Sequence, residues 1–527
     1  MGKINLLDCT LRDGGYINDW NFGKNAIEQI LRKLSLTGIE MIEVGFLKGF
    51  SYQPDQSLFP NVESIKTVLT QKNQNVLYVA MLDMSEPIPI SGITYNDGTS
   101  IDGIRIIFKK DKINEAYTYC QHIQKMGYSL FVNFVNTDTY SDKEFIEVIE
   151  KYNVLHPYGM TIVDTFGMLK RKHFLRLAAI ADNNMDKNIM LCYHAHNNLQ
   201  QAFSNAEALL DMNLSRDICI DACVFGMGRG AGNLNLELFT EFMNEKYGTN
   251  YNIAPMLEIM DEYLSDIYRT RFWGYSLPLY LSATMGCHPN YAIYLAEKNT
   301  LPVKAFGELL QSISPEDKQV FSKEKADYYY RDFLDSFIDD KESIDRLEKE
   351  IGEKEVILIG PGKTIHDYQD IILKECLRDN VIITINFYSN VFEPDYIFVS
   401  NMKRIQRTHD KSSAKMIVTS NIKDIKEADY TINYSSYLGK NGKIVDNAGL
   451  MALRLLIRIG IKHVKIVGMD GYDNGYDTNY FDSEFEIGNQ QNMTDLNDLM
   501  TQELGIIGQM IKLEFITPTK YKMENIV

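Results

Sequence analysis

"INLLDCTLRDGGYINDW", residues 4–20, sets an apolar run directly against Arg12, Asp13, Gly14 and Gly15. "INLLD" reads as a short buried strand and "RDGG" as a turn. Charges at the end of a buried strand are costly unless they are paired or bound to something. A strand, a tight turn and one surface Arg–Asp pair would account for these residues by themselves. The rest of the chain decides between that reading and a functional site.

Seven more strand-like runs come after it: "MIEVGF" (41–46), "VLYVAML" (76–82), "GIRIIF" (103–108), "LFVNFV" (130–135), "MTIVDTF" (160–166), "IMLCYHA" (189–195) and "ICIDACVFG" (218–226). Most gaps between them carry helical spacing. "NAIEQILRKLSLTG" places Ile27, Ile30, Leu31 and Leu34 on one face, and "EAYTYCQHIQKMG" and "QQAFSNAEALLDM" behave alike. The gap from 83 to 102 is rich in Pro, Gly and Asn and predicts no helix. Alternating apolar strands and helices predict a (β/α)8 barrel, with a doubly wound open sheet as the alternative. Active sites of such barrels lie at the C-terminal ends of the strands. Arg12 and Asp13 would sit there.

Other strand ends then gain meaning. Glu43 lies near the end of the second strand, Asp164 and Thr165 end the sixth, and the seventh ends in "HAHNN". In a strand, residues i and i+2 point to one face, so His194 and His196 can hold one metal ion. Strands 1 and 7 flank strand 8 in a closed barrel, which lets Asp13 join them. Such a mixed N/O donor set with open positions suits Mn2+ or Mg2+, with Co2+ and Zn2+ as alternatives.

"DCTLRDGG", "HAHNN" and "GMGRGAGN", in this order and spacing, resemble the metal-dependent pyruvate aldolase and acyl-CoA lyase superfamily. The resemblance covers roughly residues 1–300 and looks most like the 4-hydroxy-2-oxovalerate aldolases; the superfamily also includes HMG-CoA lyase and isopropylmalate synthase. It implies a divalent cation held by Asp13, His194 and His196, acting as Lewis acid on the keto and carboxylate oxygens of pyruvate. Arg12 would stabilise the enolate oxygen. Glu43 would orient Arg12 or a water on the metal, or else be a solvated strand-end residue. Asp164 and Thr165 resemble a segment near the substrate carboxylate. Asn233 matches a metal ligand of the lyase relatives. Within the glycine-rich segment, Arg229 could pair with a substrate carboxylate or phosphate.

One position departs from the aldolases. Three residues after the metal Asp they carry a catalytic His, and here the residue is Tyr16. A phenol is a poor base at neutral pH but can donate a hydrogen bond or relay a proton. The stretch "WGYSLPLYLSATMGCHPNYA" (273–292) resembles a family segment with an active-site Tyr, which makes Tyr280 and His288 alternative candidates for the base.

At 527 residues the chain exceeds one domain. The sequence predicts an aldolase barrel over 1–250, a helical extension over 251–310, a charged helical linker over 311–354 and a doubly wound, Rossmann-like α/β domain over 355–527. "IGPGKT" (359–364) lacks the spacing of a P-loop, yet strand–GPGK–helix makes an anion-binding turn. "VGMDGYDNGYD" (467–477) places Asp470 and Asp473 beyond a strand end. Gly360, Gly362, Lys363, Asp470 and Asp473 are therefore candidates for a second ligand site. This half loosely resembles nucleotide-sugar-handling domains of bacterial glycan pathways; a structural or oligomerisation role is the alternative. No GxGxxG supports a dinucleotide cofactor.

A formal charge of −17 argues against a nucleic-acid surface. No apolar run approaches a membrane span, and no secretory or myristoylation pattern opens the chain. Seven scattered Cys without a CxxC suggest reduced thiols and a cytoplasmic protein. The leading expectation is a class II, metal-dependent aldolase that joins or splits pyruvate and an aldehyde through a 4-hydroxy-2-oxo acid, in a carbohydrate or cell-surface glycan pathway. Its partners would be small molecules, neither nucleic acid nor membrane, with a homo-oligomer left open. The competing expectations are a Claisen-type acyl-CoA lyase or synthase and a non-catalytic scaffold with a degenerate barrel.

Overall fold

The computed structural model describes residues 2–49, 51–335, 337–376, 378–408, 413–423, 428–439, 444–473, 479–482 and 493–522. Two units divide the chain, Met1–Asn290 and Tyr291–Val527. The sequence positions 474–477 of "VGMDGYDNGYD" lie outside the described residues.

The first unit is a closed parallel barrel. Its strands are β1 (Ile4–Asp8), β2 (Met41–Leu47), β3 (Leu77–Asp83), β4 (Gly103–Phe108), β5 (Ser129–Phe134), β6 (Gly159–Asp164), β7 (Met190–Ala195) and β8 (Ile218–Ala222). β1 pairs with β8 from Ile4↔Ile218 to Asp8↔Ala222, and with β2 through Leu7↔Met41, which closes the ring. Alternation along each strand sorts the side chains. Leu6, Ile42, Ala80, Ile104, Val132, Ile162, Leu191 and Ile220 face outward and join the core under the surrounding helices. Leu7, Met41, Val79, Phe131, Met190, Cys192 and Cys219 fill the bottom of the barrel interior. The inward positions toward the C-terminal end carry Glu43, Arg105, Asn133, His194 and Asp221 instead, all buried. The barrel is thus apolar at its base and ionic at its mouth.

The loop after β1 is helical rather than a simple turn. The Asp8 carboxylate accepts from the Thr10 amide (3.1 Å) and hydroxyl (2.6 Å) and starts the one-turn helix Thr10–Asp13, followed at once by Gly15–Asn18. Gly15 is required by close approach, since a Cβ there would lie 2.0 Å from the Trp20 ring. Trp20 donates from Nε1 to the Arg12 carbonyl (2.8 Å), and Ser57 donates from Oγ to the Leu11 carbonyl (2.7 Å). Arg12 and Asp13 are therefore held by backbone ties on both sides. β8 is shorter than "ICIDACVFG" suggests. It stops at Ala222, where the chain turns into Val224–Gly226 with Phe225 at φ 58°. Between 83 and 102 there is only the short 3-10 turn Ile90–Gly92, in line with the absence of a helical pattern.

The second unit holds an all-parallel sheet of seven strands: β9 (Glu355–Ile359), β10 (Asn380–Ile385), β11 (Tyr396–Val399), β12 (Lys415–Thr419), β13 (Tyr430–Ile432), β14 (His463–Val467) and β15 (Lys512–Phe515). Their spatial order is β13-β12-β11-β10-β9-β14-β15, so the winding reverses between β9 and β14. The charged segment before β9 packs on this sheet: Asp340, 6% exposed, accepts from Arg458 Nη2 (2.9 Å) and the Asn433 amide (2.9 Å). None of the seven cysteines forms a disulfide. Among the described residues no helix is long and apolar enough to cross a membrane.

Candidate active site

Asp13, His194 and His196 converge at the barrel mouth. His194 Nε2 lies 3.1 Å and His196 Nε2 3.9 Å from Asp13 Oδ2. One donor atom from each of the three falls within 4.8 Å of the others. The other nitrogen of each ring has an acceptor. His194 Nδ1 meets Asp221 Oδ2 at 3.1 Å, and His196 Nδ1 meets the Arg229 carbonyl at 3.2 Å. An acceptor on Nδ1 selects the Nδ1–H tautomer and leaves the Nε2 lone pair for a cation, as in the carboxylate–histidine pairs of metal sites. Asn233 sits beside His196 through a backbone bridge; its Nδ2 donates to Cys223 Sγ (3.1 Å), and its buried Oδ1 has no hydrogen-bond partner. Two converging imidazole lone pairs, a carboxylate and an orphaned buried amide oxygen fit a divalent cation.

Arg12 is almost buried. It donates from Nε to Glu43 Oε2 at 2.7 Å and from Nη1 to Asp13, while its Nη2 makes no hydrogen bond. Glu43 is fully buried and is not a solvated strand-end residue. Its second oxygen lies 3.3 Å from Arg105 Nη1, and Arg105 Nη2 reaches both Asp221 Oδ2 and Asn133 Oδ1 (3.2 Å). A closed circuit results: Arg12, Glu43, Arg105, Asp221, His194, Asp13 and back to Arg12. Burial pushes the Asp13 carboxyl up, but the Arg12 guanidinium and the two histidines outweigh it and hold Asp13 well below the usual carboxylate range. Burial acts likewise on Asp221, and Arg105 and His194 again prevail and lower it.

Arg105 and Asp221 escaped the sequence reading. Their signal was nonetheless present: "GIRIIF" and "ICIDA" each carry one charge in the middle of a run otherwise read as buried strand. Two such charges on a shared inward face must find each other.

The remaining predicted residues divide into those near the mouth and those elsewhere. Tyr16 lies at the mouth, its ring 5.6 Å from the Arg229 guanidinium and edge-on to Trp20. Burial and the Asp13 carboxylate raise its phenol to about 12, so at neutral pH it is a donor and not a base. The Arg229 side chain contacts His288 Nε2, and its amide approaches Asp13 Oδ1 at 3.4 Å. Burial and the neighbouring Arg229 lower His288 to about 3, and its ring packs edge-on against Phe166. Tyr280 is largely exposed on the helix Leu277–Thr284, packed against Tyr275. Asp164 accepts from the amides of Met168 (2.8 Å) and Leu169 (3.0 Å), and Thr165 Oγ1 accepts from the Asn136 amide (2.7 Å). Both hold the β6 loop, and burial raises Asp164 to about 7.

Residues 3–261 match the HMGL-like family model, and the barrel is an HMGL-like domain. Two aldolases illustrate the relation. A 4-hydroxy-2-oxovalerate aldolase of Geobacillus genomosp. 3 is 26% identical over 50% of this chain and 77% of its own length. One from Thermomicrobium roseum is 28% identical over 49% of this chain and 70% of its own. Among solved structures, the HMG-CoA lyase from Brucella melitensis matches with a TM-score of 0.41 at 16% identity, covering 49% of this chain and 96% of that one.

Replacing Arg105 removes the buried cation shared by Glu43 and Asp221 and leaves them only Arg12 and His194. Arg105→Met should destabilise the protein by about 3–5 kcal/mol, the usual cost of removing one partner from a buried ion pair. Urea denaturation measures it; a loss under about 1 kcal/mol would show that the circuit carries little of the barrel's stability.

Proposed function

We propose that the barrel is a class II, divalent-metal-dependent aldolase that makes or cleaves a 4-hydroxy-2-oxo acid, with pyruvate as one partner and an aldehyde as the other. One observation carries this reading: His194 and His196 both present Nε2 to Asp13 Oδ2 while their Nδ1 atoms are anchored. The aldolase relatives, at 26–28% identity over half of the chain, support the same chemistry. Asp13, His194 and His196 would hold Mn2+ or Mg2+, with Asn233 Oδ1 as a further donor. When bound, the cation supplies Lewis-acid polarisation of a 2-oxo acid.

The chain's own residues do the rest. Arg12 is a fixed charge, pinned by Glu43, with Nη2 uncommitted; that atom is the donor for the oxygen on which negative charge develops as the C–C bond forms or breaks. Glu43 positions Arg12, and Asp221 positions His194. Tyr16 Oη, kept protonated, takes the place of the family's histidine as donor to the aldehyde oxygen. Arg229, backed by His288, offers a second cation for a carboxylate at the mouth. The barrel work is assigned to Met1–Asn290, and a place in carbohydrate or cell-surface glycan metabolism would be set by the aldehyde.

Pyruvate C3 proton exchange with solvent isolates the enolisation half of the reaction. His194→Ala should lose most bound Mn2+ and with it the exchange. Exchange at the wild-type rate in metal-stripped His194→Ala would refute the metal site. A parallel assay with 2-oxo acids and acetyl-CoA should show no turnover.

Arg12→Lys keeps the charge but loses the planar fork that serves Glu43 and a substrate oxygen together. Its exchange rate should fall about 10²–10³-fold, the typical effect of removing one fixed electrostatic donor. Near-normal exchange would make Arg12 a purely structural ion-pair residue.

A further inference from the structure

In open α/β sheets, ligands bind outside the carboxyl ends of the strands where the winding reverses. In the second unit that point lies between β9 and β14, and a cavity of about 220 Å3 opens there. Its walls differ in chemistry.

On the β9 side the chain fills the anion position itself. Asp470 accepts from the Thr364 amide (2.8 Å) and hydroxyl (2.5 Å), occupying the helix start that follows the "GPGK" turn. Gly362 packs its amide on the Gly468 carbonyl (2.9 Å), where a Cβ would clash. Gly360, Gly362 and Asp470 thus line the cavity as framework, whereas Lys363 and Asp473 are not among its lining residues, and Asp473 pairs with Lys520. A ligand phosphate must be held elsewhere.

The opposite wall supplies the donors. Arg404, only 9% exposed, lines that wall. Ser400, 6% exposed, lines the same wall, and its hydroxyl makes no hydrogen bond to any described residue. Asn386, which accepts from the Ser400 amide (3.1 Å), lines the cavity as well. The 11-residue helix Ala448–Arg458 begins at the cavity edge. Its cap Asn447 takes the Leu450 amide (3.2 Å), while Ala448 and Gly449 line the space at the positive end of the helix. A nearly buried arginine, a nearly buried serine with an unpartnered hydroxyl and a helix N-terminus line one cavity, a combination suited to an anion. Beside them, the Asp446 carboxylate and the rings of Tyr472, Tyr480 and Tyr521 offer an acceptor and aromatic faces suited to a hydroxylated ring. The volume sets the size: it lies below the roughly 300–1,000 Å3 of drug-sized sites, so it suits a single sugar unit and not a dinucleotide.

We infer that this crevice binds the phosphate ester of a sugar, with the phosphate against Arg404, Ser400 and the start of Ala448–Arg458. The inference is independent of the barrel chemistry.

Calorimetric titration of the full chain with glucose phosphate, adenosine monophosphate and inorganic phosphate tests it and separates a simple sugar phosphate from a nucleotide. At least one ester should bind about tenfold or more tightly than inorganic phosphate. Arg404→Gln, with unchanged circular dichroism, should weaken that ester by about tenfold or more, the size of one hydrogen bond to a charged group. If Arg404→Gln does not fold, Ser400→Ala takes its place, with a several-fold loss expected. The inference is overturned if neither ester binds more tightly than inorganic phosphate, or if the folded variant binds with wild-type affinity.

Discussion

The Arg105 guanidinium, wedged inside the barrel between Glu43 and Asp221, is the constraint on which the candidate active site depends. Through Glu43 it fixes Arg12, and through Asp221 it fixes His194; both of these meet at Asp13. The circuit sets three carboxylates against two guanidiniums and His194: burial lowers the imidazole, but Asp13 and Asp221 outweigh it and raise it well above its ordinary range, so a positive charge belongs at that position. Arg12 and His194 are consequently two arms of one frame, in which Glu43, Arg105, His194 and Asp221 stand on strands while Arg12 and Asp13 stand on the short helix after β1.

That frame explains which parts of the site could be read from sequence. Asp13, His194 and His196 were legible because each follows or ends a strand, and because an HxH pair on a strand shares one face. Arg105 and Asp221 were hidden because they lie mid-strand. There an apolar run masks alternation, and a barrel interior is ordinarily read as hydrocarbon. The order of the eight barrel strands was legible, since strand runs and helical spacing alternate over most of residues 4–226, whereas the last strand of the second unit, Lys512–Phe515, was not. The local form of "RDGG" was not, because the helix Thr10–Asp13 is started by Asp8, a contact two residues back that turn propensities ignore. The same holds for the end of β8, where Phe225 at φ 58° breaks a run whose composition is still strand-like.

The second unit shows the complementary lesson. "GPGK" after a strand carried the pattern of an anion-binding turn, yet the anion in that place is the chain's own Asp470, more than a hundred residues away. The far wall of the crevice is lined instead by Ser400, Arg404 and the start of Ala448–Arg458. Residues that are distant in sequence and individually ordinary become a site only once the sheet order is known.

The central claim is that the frame directs the two Nε2 atoms, and not the Nδ1 side of His194, toward a cation. A second cluster exists on that other side, formed by Cys9, His194 and Asp221. Anomalous scattering from crystals grown with Mn2+ distinguishes the two. The expected result is a single strong peak bounded by Asp13 Oδ2, His194 Nε2 and His196 Nε2. A peak between Cys9 Sγ and Asp221, or no peak at the barrel mouth at saturating Mn2+, would contradict the account.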